Sequence, residues 1–351
     1  MCMAQVAEKS AENKPLLRVS VVIPVFNGCA ELEKCLAAIA VSTYPGFECI
    51  VVDDGSTTGT AERLAVRYNA RVIRRERRRG PAAARNVGAR AACGDILFFT
   101  DADVMLHPDA LAIAVRVLDA DPGLSAVFGS YDDQPGHGSF LSQYRNLYHH
   151  WVHQTGSEDA STFWTGCGAI RQHVFAEMGG FSVDYRHPSI EDIELGARLH
   201  AAGHRIRLEK TMLGTHLKRW TFWNLMATDI FRRGVPWMVL LLRCGGRSRD
   251  LNLNLKSRIA TALAGLFGLA LIILPLSGHF GALGLALVLL ILVLVWTQLG
   301  FYRCAARKRS IVFALAVVPM QVLFFLGCAA AVPLGFIEYH LDNRHRRSDP
   351  T

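Results

Sequence analysis

Three long stretches without a single charged residue occupy the last part of the sequence and limit what that part can fold into. They cover residues 259–277, 280–302 and 311–337. Each has the roughly 20-residue length that an α-helix needs to cross a bilayer, where the backbone must satisfy its own hydrogen bonds. A buried helix of a soluble protein is the alternative, but three such runs in succession favour membrane spans. Residues 258–337 are therefore predicted to form three transmembrane helices.

The composition agrees with a membrane protein that also has a soluble part. Hydrophobic residues make up 51% of the chain, and the mean hydropathy of +0.23 is high for a purely soluble enzyme. Beside apolar spans, the formal net charge of +8 indicates phosphates or an anionic membrane surface as partner, and we expect no nucleic acid. The nine cysteines include no Cys-x-x-Cys pair, which argues against a zinc site or disulfide framework and for a reducing compartment.

The distribution of basic residues predicts the orientation in the membrane. Basic residues precede the first span and fill the loop before the third. The positive-inside rule places both segments in the cytoplasm with the soluble part. The polar leader, residues 1–17, lacks the layout of a signal peptide. We therefore expect a multi-pass protein of the inner (plasma) membrane with its soluble domain in the cytoplasm. Three spans would send the tail, residues 338–351, outside, although that tail is itself basic. The basic residues in question are Arg243, Arg247, Arg249, Lys256, Arg258, Arg303, Arg307, Lys308 and Arg309.

The first part of the chain alternates short β-branched runs with helical patterns. "RVSVVIPVFNG", "ECIVVDD", "ARVIRRE", "DILFFT" and "LSAVFGS" read as strands, and each segment between them contains a helical pattern. Such alternation is typical of an α/β fold with a doubly wound parallel sheet flanked by helices. Ligands of these sheets bind beyond the carboxyl ends of the strands. Asn27, Asp53, Asp54, Asp101 and Asp103 all lie at such ends.

The sequence Asp-Ala-Asp occurs twice, and context separates the two copies. Asp101 and Asp103 directly follow a buried strand, whereas Asp119 and Asp121 follow a helical pattern and precede Pro122. The second copy is read as a helix end. The first copy is therefore the candidate for chemistry.

An ordered set of motifs between about Val19 and Trp220 resembles the family 2 glycosyltransferases of the GT-A fold, which transfer sugar from a nucleotide-sugar with inversion. The motifs are "VSVVIPVFNG", "VVDDGS", "GPAAARNVGARAACGDILFFTDADV", "GGF" and "EDIELGARLHAAG". Each motif alone is weak, and their order carries the resemblance. It implies a GT-A domain over residues 18–220, with a mostly parallel sheet flanked by helices, followed by the C-terminal transmembrane helices.

The resemblance implies that the first two loops bind a nucleotide. Phe26 would stack on the base, and Asp54 would accept the imide N–H of uracil, which implies a UDP-sugar donor. The other residues implied here are Pro24, Asn27 and Asp53. From the residues alone, Asp53-Asp54-Gly55-Ser56 could equally form a turn and a helix cap.

A metal ion is implied at Asp101 and Asp103, the DXD motif of the family. A diphosphate repels bare carboxylates, so Mn²⁺ or Mg²⁺ would lie between them and offset the charge on the leaving UDP. The resemblance assigns Asp103 to the metal, Asp101 to ribose or metal, and His216 to a possible third ligand, although His216 could as well be an ordinary core or solvated histidine. Arg85 would support Asp101 or a phosphate, or would be an exposed helix arginine.

Glu191 and Asp192 match the acid pair that supplies the base of the family. Asp192 is predicted to deprotonate the acceptor hydroxyl, with Glu191 supporting it. From the residues alone, two acids at a helix start would simply favour the helix dipole.

The segment "HLKRW" indicates what kind of family member this is. Processive synthases carry Gln-x-x-Arg-Trp where this chain has His216, Arg219 and Trp220. Arg219 would pair with phosphate and Trp220 would stack on the acceptor. We expect transfer of one sugar to a lipid-linked or membrane-resident hydroxyl, as in cell-envelope glycan assembly. A processive polysaccharide synthase and a nucleotidyltransferase of similar fold are the alternatives.

Two further segments are interpreted from their residues. Residues 221–257 mix Trp223, Trp237 and Met238 with Arg232 and Arg233, which indicates interfacial amphipathic helices, with a domain-core helix as alternative. The basic run "RRERRRG", residues 74–80, is read as a solvated loop or a phosphate clamp. No glycine-rich turn follows the first strand, which argues against a dehydrogenase.

Overall fold

A computed structural model describes residues 17–28, 30–185, 187–245, 251, 254–276 and 280–348. The predicted leader at residues 1–16 and the link at Gly278-His279 lie outside these ranges. So do the end of the predicted tail, residues 349–351, and two basic residues that were used for the orientation, Arg247 and Arg249.

A nine-stranded mixed sheet forms the core of the soluble domain, with strand order β3-β2-β1-β4-β8-β6-β9-β5 and β7 beside β9. The first strands are almost completely buried and rich in Val, Ile and Phe, as expected of strands covered by helices on both faces. The strands are β1 (Val19–Val25), β2 (Phe47–Asp53), β3 (Arg71–Arg74), β4 (Ile96–Thr100), β5 (Val104–Leu106), β6 (Leu124–Tyr131), β7 (Asp159–Ala160), β8 (Cys167–Arg171) and β9 (Arg205–His216).

The predicted α/β architecture, a sheet flanked by helices, is confirmed, and the sheet itself contains both parallel and antiparallel pairs. β1 runs parallel to β2 and β4, and β3 parallel to β2, as expected. However, β8 lies between β4 and β6 antiparallel to both, and β5 is antiparallel to β9. The connection before β8 brings the chain back along the sheet, so that β8 enters between β4 and β6 in the opposite direction. At Gly168, an added Cβ would lie 2.2 Å from the carbonyl oxygen of Trp164, so this fold-back needs a glycine.

Helices flank the sheet and carry the motifs to its edge. They are α1 (Ala30–Ala40), α2 (Thr60–Arg67), α3 (Pro81–Ala91), α4 (Ala110–Ala120), α5 (Phe140–Thr155), α6 (Gln172–Glu177) and α7 (Glu191–Ala201). After β9 come α8 (Phe222–Ala227), a π-helix (Thr228–Gly234) and α9 (Val235–Arg243). A π-helix is rare and is often found at functional sites.

Three C-terminal helices are long and apolar enough to cross a membrane, within Leu255–Leu276, Phe280–Thr297 and Ile311–Asp342. They correspond to α10 (Leu255–Ile273), α11 (Phe280–Thr297) and α13 (Ile311–Ser348). The run predicted as one span, 280–302, instead ends at Thr297, and a separate helix α12 (Leu299–Lys308) follows.

Helix α12 and the loop after it lie against the soluble domain. Phe301 is fully buried and its ring packs 5.0 Å from that of Tyr148 on α5. Lys308 forms an ion pair with Asp133 at 2.7 Å, and Arg309 Nε donates to the side chain of Gln143 at 2.7 Å. The basic segment before the last span is thereby fastened to the soluble domain.

The last helix, α13, packs along α5, the π-helix and α9. Tyr144 on α5 donates its hydroxyl to Gln321 at 2.9 Å. Further along, an added Cβ on Gly335 would lie 2.6 Å from the side chain of Met238 on α9. The segment predicted to be interfacial therefore contacts the third apolar helix directly.

Candidate active site

One cavity of about 1090 Å³ collects the predicted polar clusters. Phe26 after β1, Asp54 after β2, and Asp101 and Asp103 after β4 all line it. The carboxyl ends of neighbouring parallel strands meet at one edge of a sheet, which explains why loops distant in sequence share this cavity. The same cavity continues to Asp192 and then to α9, α10 and α13.

The loops after β1 and β2 are tied together at one end of the cavity. The backbone N–H of Asn27 donates to Ser56 Oγ at 2.9 Å, and Asn27 Oδ1 accepts from the backbone N–H of Thr57 at 3.0 Å. Phe26 is 37% exposed, and the guanidinium of Arg78 lies 4.0 Å from its ring centroid. Phe26 and Pro24 thus line an open face where a planar base could stack.

Asp53, the last residue of β2, and Asp54, which follows it, have different surroundings. Asp53 is fully buried and accepts the backbone N–H of Ser56 at 2.9 Å, which is the turn contact considered for these residues, and it does not line the cavity. Asp54 is 3% exposed, and both of its oxygens already accept hydrogen bonds. Oδ1 pairs with Arg75 at 2.8 Å, and Oδ2 accepts the backbone N–H of Gly80 at 2.7 Å.

The basic run 74–80 therefore folds over Asp54 as a loop. The backbone N–H of Arg79 donates to both carboxylate oxygens of Asp54 at 3.1 Å. Gly80 has φ 91°, a conformation that other residues rarely adopt. The loop places Arg78 over Phe26, and both side chains line the cavity.

Arg85 joins the two acidic motifs. Its Nη2 contacts Asp101 Oδ1 at 2.6 Å, and its Nη1 contacts Glu191 Oε1 at 2.8 Å. Burial opposes the charge of Arg85, but Asp101 and Glu191 hold the pKa of Arg85 above its ordinary value. Of the two partners considered for Arg85, a phosphate or Asp101, the structure provides Asp101.

Asp103 and His216 face each other across the β5–β9 pair. The residues Val104 and His216 are partners in the sheet register, and His216 Nε2 lies 3.6 Å from Asp103 Oδ2. The His216 ring stacks on Tyr131 with centroids 4.4 Å apart and planes 7° from parallel. Burial opposes ionisation of Asp103, but His216 and Lys218 hold the pKa of Asp103 below its ordinary value.

No group of three or more His, Cys, Asp or Glu side chains in the described part of the chain is arranged to hold a metal ion by itself. Asp103 and His216 provide two possible donors on the cavity wall. Asp101 lines the same wall, with one carboxylate oxygen bonded to Arg85 and its side chain 34% exposed.

Asp192 lies at the start of α7 and lines the same cavity. Its Oδ2 accepts from the backbone N–H of Thr165 at 3.2 Å and from Thr165 Oγ1 at 3.3 Å, and its Oδ1 accepts from the N–H of Ile193 at 2.8 Å. Burial and the neighbouring Glu191 raise the pKa of Asp192 to about 6. A carboxylate with such a pKa accepts a proton efficiently near neutral pH.

One residue of the segment "HLKRW", Arg219, lies outside the cavity in which it was predicted. Lys218 and Trp220 line the cavity, but Arg219 does not. Trp220 is 4% exposed, and the ammonium of Lys218 lies 4.2 Å from its ring centroid. Lys218, which the sequence did not single out, is therefore the cation of this segment nearest to Asp103.

The second Asp-Ala-Asp lies outside the cavity. Asp121 is at the end of α4 and pairs with Arg205 at 2.9 Å, in an exposed position. This location agrees with the interpretation of the second copy as a helix end.

Several cavity residues have no signal in a single sequence. His149 on α5 and Trp164 before β8 lie with their rings 4.7 Å apart. Arg145 on α5 pairs with Asp229 of the π-helix at 2.7 Å, both nearly buried. For Asp229 alone, the sequence offered a hint, because this residue and two arginines interrupt a helical pattern.

A mixed sheet with carboxylates from two strand ends and one helix start around a single cavity is the architecture of a GT-A glycosyltransferase. Residues 20–179 match the family model described as Glycosyl transferase family 2. The chain is 29% identical over 208 residues to "Glycosyltransferase AglE" of Haloferax volcanii, an alignment that covers 57% of this chain and 67% of that protein. It is 32% identical over 226 residues to "Validoxylamine A glucosyltransferase" of Streptomyces hygroscopicus subsp. jinggangensis, covering 54% and only 52%.

The fold is also that of a solved enzyme, the mannosyltransferase PcManGT from Pyrobaculum calidifontis in complex with GDP-Man and Mn²⁺. The TM-score is 0.51 at 21% identity, over 97% of this chain and 94% of that one. Residues 20–179 thus match glycosyl transferase family 2, and the relatives reported above are glycosyltransferases. The resemblance drawn from the motifs is thereby confirmed.

Proposed function

We propose that the protein is an inverting glycosyltransferase that moves one sugar from a metal-bound nucleotide-sugar to a hydroxyl group of a lipid-linked or membrane-resident acceptor. The observation that carries the proposal is the single cavity, which joins Phe26, Asp103 and Asp192 to the apolar helices α10 and α13. One end suits a nucleotide, the middle suits proton removal, and the far end suits a lipid chain.

The donor would lie between Phe26 and Asp103. Phe26 offers a stacking face for the base, with Arg78 above it. UDP is the nucleotide that the resemblance implies, but both oxygens of Asp54 are already bonded within the protein. We therefore assign Asp54 to holding the loop 75–80, and the related fold of PcManGT with GDP-Man makes GDP-sugars the second donor class to test.

Asp103 and His216, with Asp101 beside them, fit a divalent cation. Two ligands of one Mn²⁺ or Mg²⁺ ion, each about 2.1 Å from it, lie about 3 to 4 Å apart, and the 3.6 Å between Asp103 Oδ2 and His216 Nε2 falls in that range. Carboxylate donors suit Mn²⁺ and Mg²⁺. A bound ion would offset the negative charge that develops on the leaving diphosphate.

Asp192 is assigned as the base. Thr165 and the N–H of Ile193 fix its orientation, and its raised pKa lets it take the proton of an acceptor hydroxyl near neutral pH. Attack from the Asp192 side, opposite the leaving diphosphate, inverts the anomeric carbon. No covalent sugar–enzyme intermediate is required.

The membrane helices support an acceptor that resides in the bilayer. The cavity wall beyond Asp192 belongs to α9, α10 and α13. Lys308 and Arg309, before α13, contact the soluble domain, as expected if that basic loop and the domain lie on the same, cytoplasmic, side.

Labelling of membrane lipid by radioactive nucleotide-sugars tests the proposal. Membranes that contain the full chain are incubated with UDP- and GDP-sugars and Mn²⁺ or Mg²⁺, and the lipid extract is counted. We expect label in the lipid fraction and release of nucleoside diphosphate, both lost in Asp103→Ala and Asp192→Asn and retained in Asp121→Ala, the matched change in the second Asp-Ala-Asp. Release of pyrophosphate would indicate nucleotidyl transfer, and label in a long polymer would indicate processive synthesis.

A further inference from the structure

Two arginines of the π-helix line the cavity. Arg232 and Arg233 both line it, and within the described ranges neither side chain forms an ion pair. Their neighbour Arg145 differs, since it pairs with Asp229 at 2.7 Å. Arg232 is exposed, whereas Arg233 is partly buried, so that the Arg233 guanidinium loses hydration and needs an anion in return.

These arginines lie next to the acid pair. Ser189 Oγ donates to the carbonyl oxygen of Arg232 at 2.5 Å, and the N–H of Ser189 donates to Glu191 Oε2 at 2.9 Å. The loop before α7 thus fastens the π-helix beside Glu191 and Asp192. Arg233 is near enough to Asp192 for their charges to interact.

The cavity wall also includes residues of α9 and of the membrane helices α10 and α13. Most of them are apolar, beside Ser257, Arg258 and Thr261 on α10. The apolar and small residues are Met238, Leu241 and Leu242 on α9, Ala262 and Gly265 on α10, and Phe325, Ala329 and Val332 on α13. One cavity therefore joins the base and the two arginines to a largely apolar wall.

We propose that the acceptor carries a phosphate or diphosphate between its apolar chain and its sugar, and that Arg232 and Arg233 bind that anion. The proposal rests on the proposed function and names its substrate class. A phosphate oxygen is already ionised and needs no base, so the presence of Asp192 indicates that a hydroxyl attacks and that the phosphate only anchors. Guanidinium groups suit phosphate because they present paired N–H donors.

The donor diphosphate is the other source of the same chemistry. It belongs beside Asp103, where Lys218 already provides a cation. The two sources differ in one property that can be tested: only the acceptor anion is joined to an apolar chain.

Binding of three probes to the purified full chain in neutral detergent tests the inference. The probes are citronellyl diphosphate, citronellol and inorganic pyrophosphate, measured by calorimetric titration. We expect the wild type to bind citronellyl diphosphate at least about tenfold more tightly than either of the other two. Arg232→Gln/Arg233→Gln should lose about tenfold or more for citronellyl diphosphate alone. Arg243→Gln, on α9 but outside the cavity and paired with Asp342, should match the wild type.

Three results would overturn the inference: unchanged affinity in the double variant, equal losses for citronellyl diphosphate and pyrophosphate, or no wild-type preference for the diphosphate over citronellol. The melting temperature, compared with that of Arg243→Gln, shows whether the double variant folds, and Arg232→Gln alone provides the test if it does not, since Arg232 is exposed. Release of nucleoside diphosphate by the wild type is measured separately. If no donor is ever turned over, the proposed function fails rather than this inference.

Discussion

Arg85 Nη1 lies 2.8 Å from Glu191 Oε1, a contact between residues 106 positions apart in the sequence. Both side chains are nearly fully buried, at 4% and 5% exposure. Through its other nitrogen, Arg85 also binds Asp101. One guanidinium therefore fixes the distance between the donor side of the cavity and the loop that carries the base.

We predict that Arg85→Met lowers both stability and activity. The variant leaves Glu191 as an unpaired buried charge, which typically costs about 3–5 kcal/mol of unfolding free energy. Chemical denaturation of the purified protein measures this loss. Arg90→Met, on the exposed face of the same helix, is the control and should change little. Adding Glu191→Leu to Arg85→Met should restore part of the stability but none of the activity. Equal stability of Arg85→Met and wild type would contradict the importance of the ion pairs that Arg85 forms with Glu191 and Asp101.

Transfer should depend on the ionisation of Asp192. Because burial and Glu191 raise its pKa to about 6, the carboxylate loses its negative charge as the pH falls through that value. The single-turnover rate of sugar transfer should therefore reach a plateau above pH 7 and fall to about a tenth at pH 5. Thr165→Val, which removes one hydrogen bond to the ionised form, should shift this midpoint upward. A flat rate between pH 5 and pH 7 would argue against Asp192 as the base.

Gly234→Ala should disrupt the contact between the π-helix and α13. A Cβ at Gly234 would lie 2.7 Å from the carbonyl oxygen of Asp229 and 2.8 Å from Ala331 Cβ. Overpacking of this kind costs about 1–3 kcal/mol, which thermal unfolding in detergent would detect. Gly284→Ala is the matched control, because nothing lies within 4 Å of its added Cβ. Equal melting temperatures for the two variants would show that α13 does not pack here.

Phe26→Ala should weaken donor binding without slowing the chemical step. Loss of one stacked base costs about 1–3 kcal/mol, so the KM for the nucleotide-sugar should rise about 5- to 150-fold while kcat changes little. Val66→Ala, an exposed apolar residue on α2, should leave KM unaltered. If KM in Phe26→Ala equals that of the wild type, the base binds elsewhere.

The local pattern of the sequence was sufficient for much of the fold. The runs that became β1, β2 and β4 are rich in apolar residues, helix α2 follows Gly59, and helix α3 begins at Pro81. Pairing direction, by contrast, is a long-range property. Cys167–Arg171 is short and glycine-containing, so nothing in it indicates a strand between β4 and β6 running the other way.

The sequence was sufficient to predict those cavity residues that directly follow a strand. The placement of Asp101 and Asp103 at the cavity follows from the apolar run before them. The sequence could not show that Lys218 lines the cavity and that Arg219 does not. The chain after β9 is irregular, so either side chain could face inward. The arginines of the π-helix were equally hidden, since their position depends on packing against α13.

Binding of Mn²⁺ in the presence of a nucleoside diphosphate tests the central claim most directly, that the carboxylates after β4 hold a cation against a diphosphate. The loss of the free-ion electron paramagnetic resonance signal reports the bound fraction. With UDP or GDP present, wild type and Asp121→Ala should each bind about one Mn²⁺ per chain, and Asp103→Ala should bind far less. Equal Mn²⁺ binding by Asp103→Ala and wild type would contradict the account.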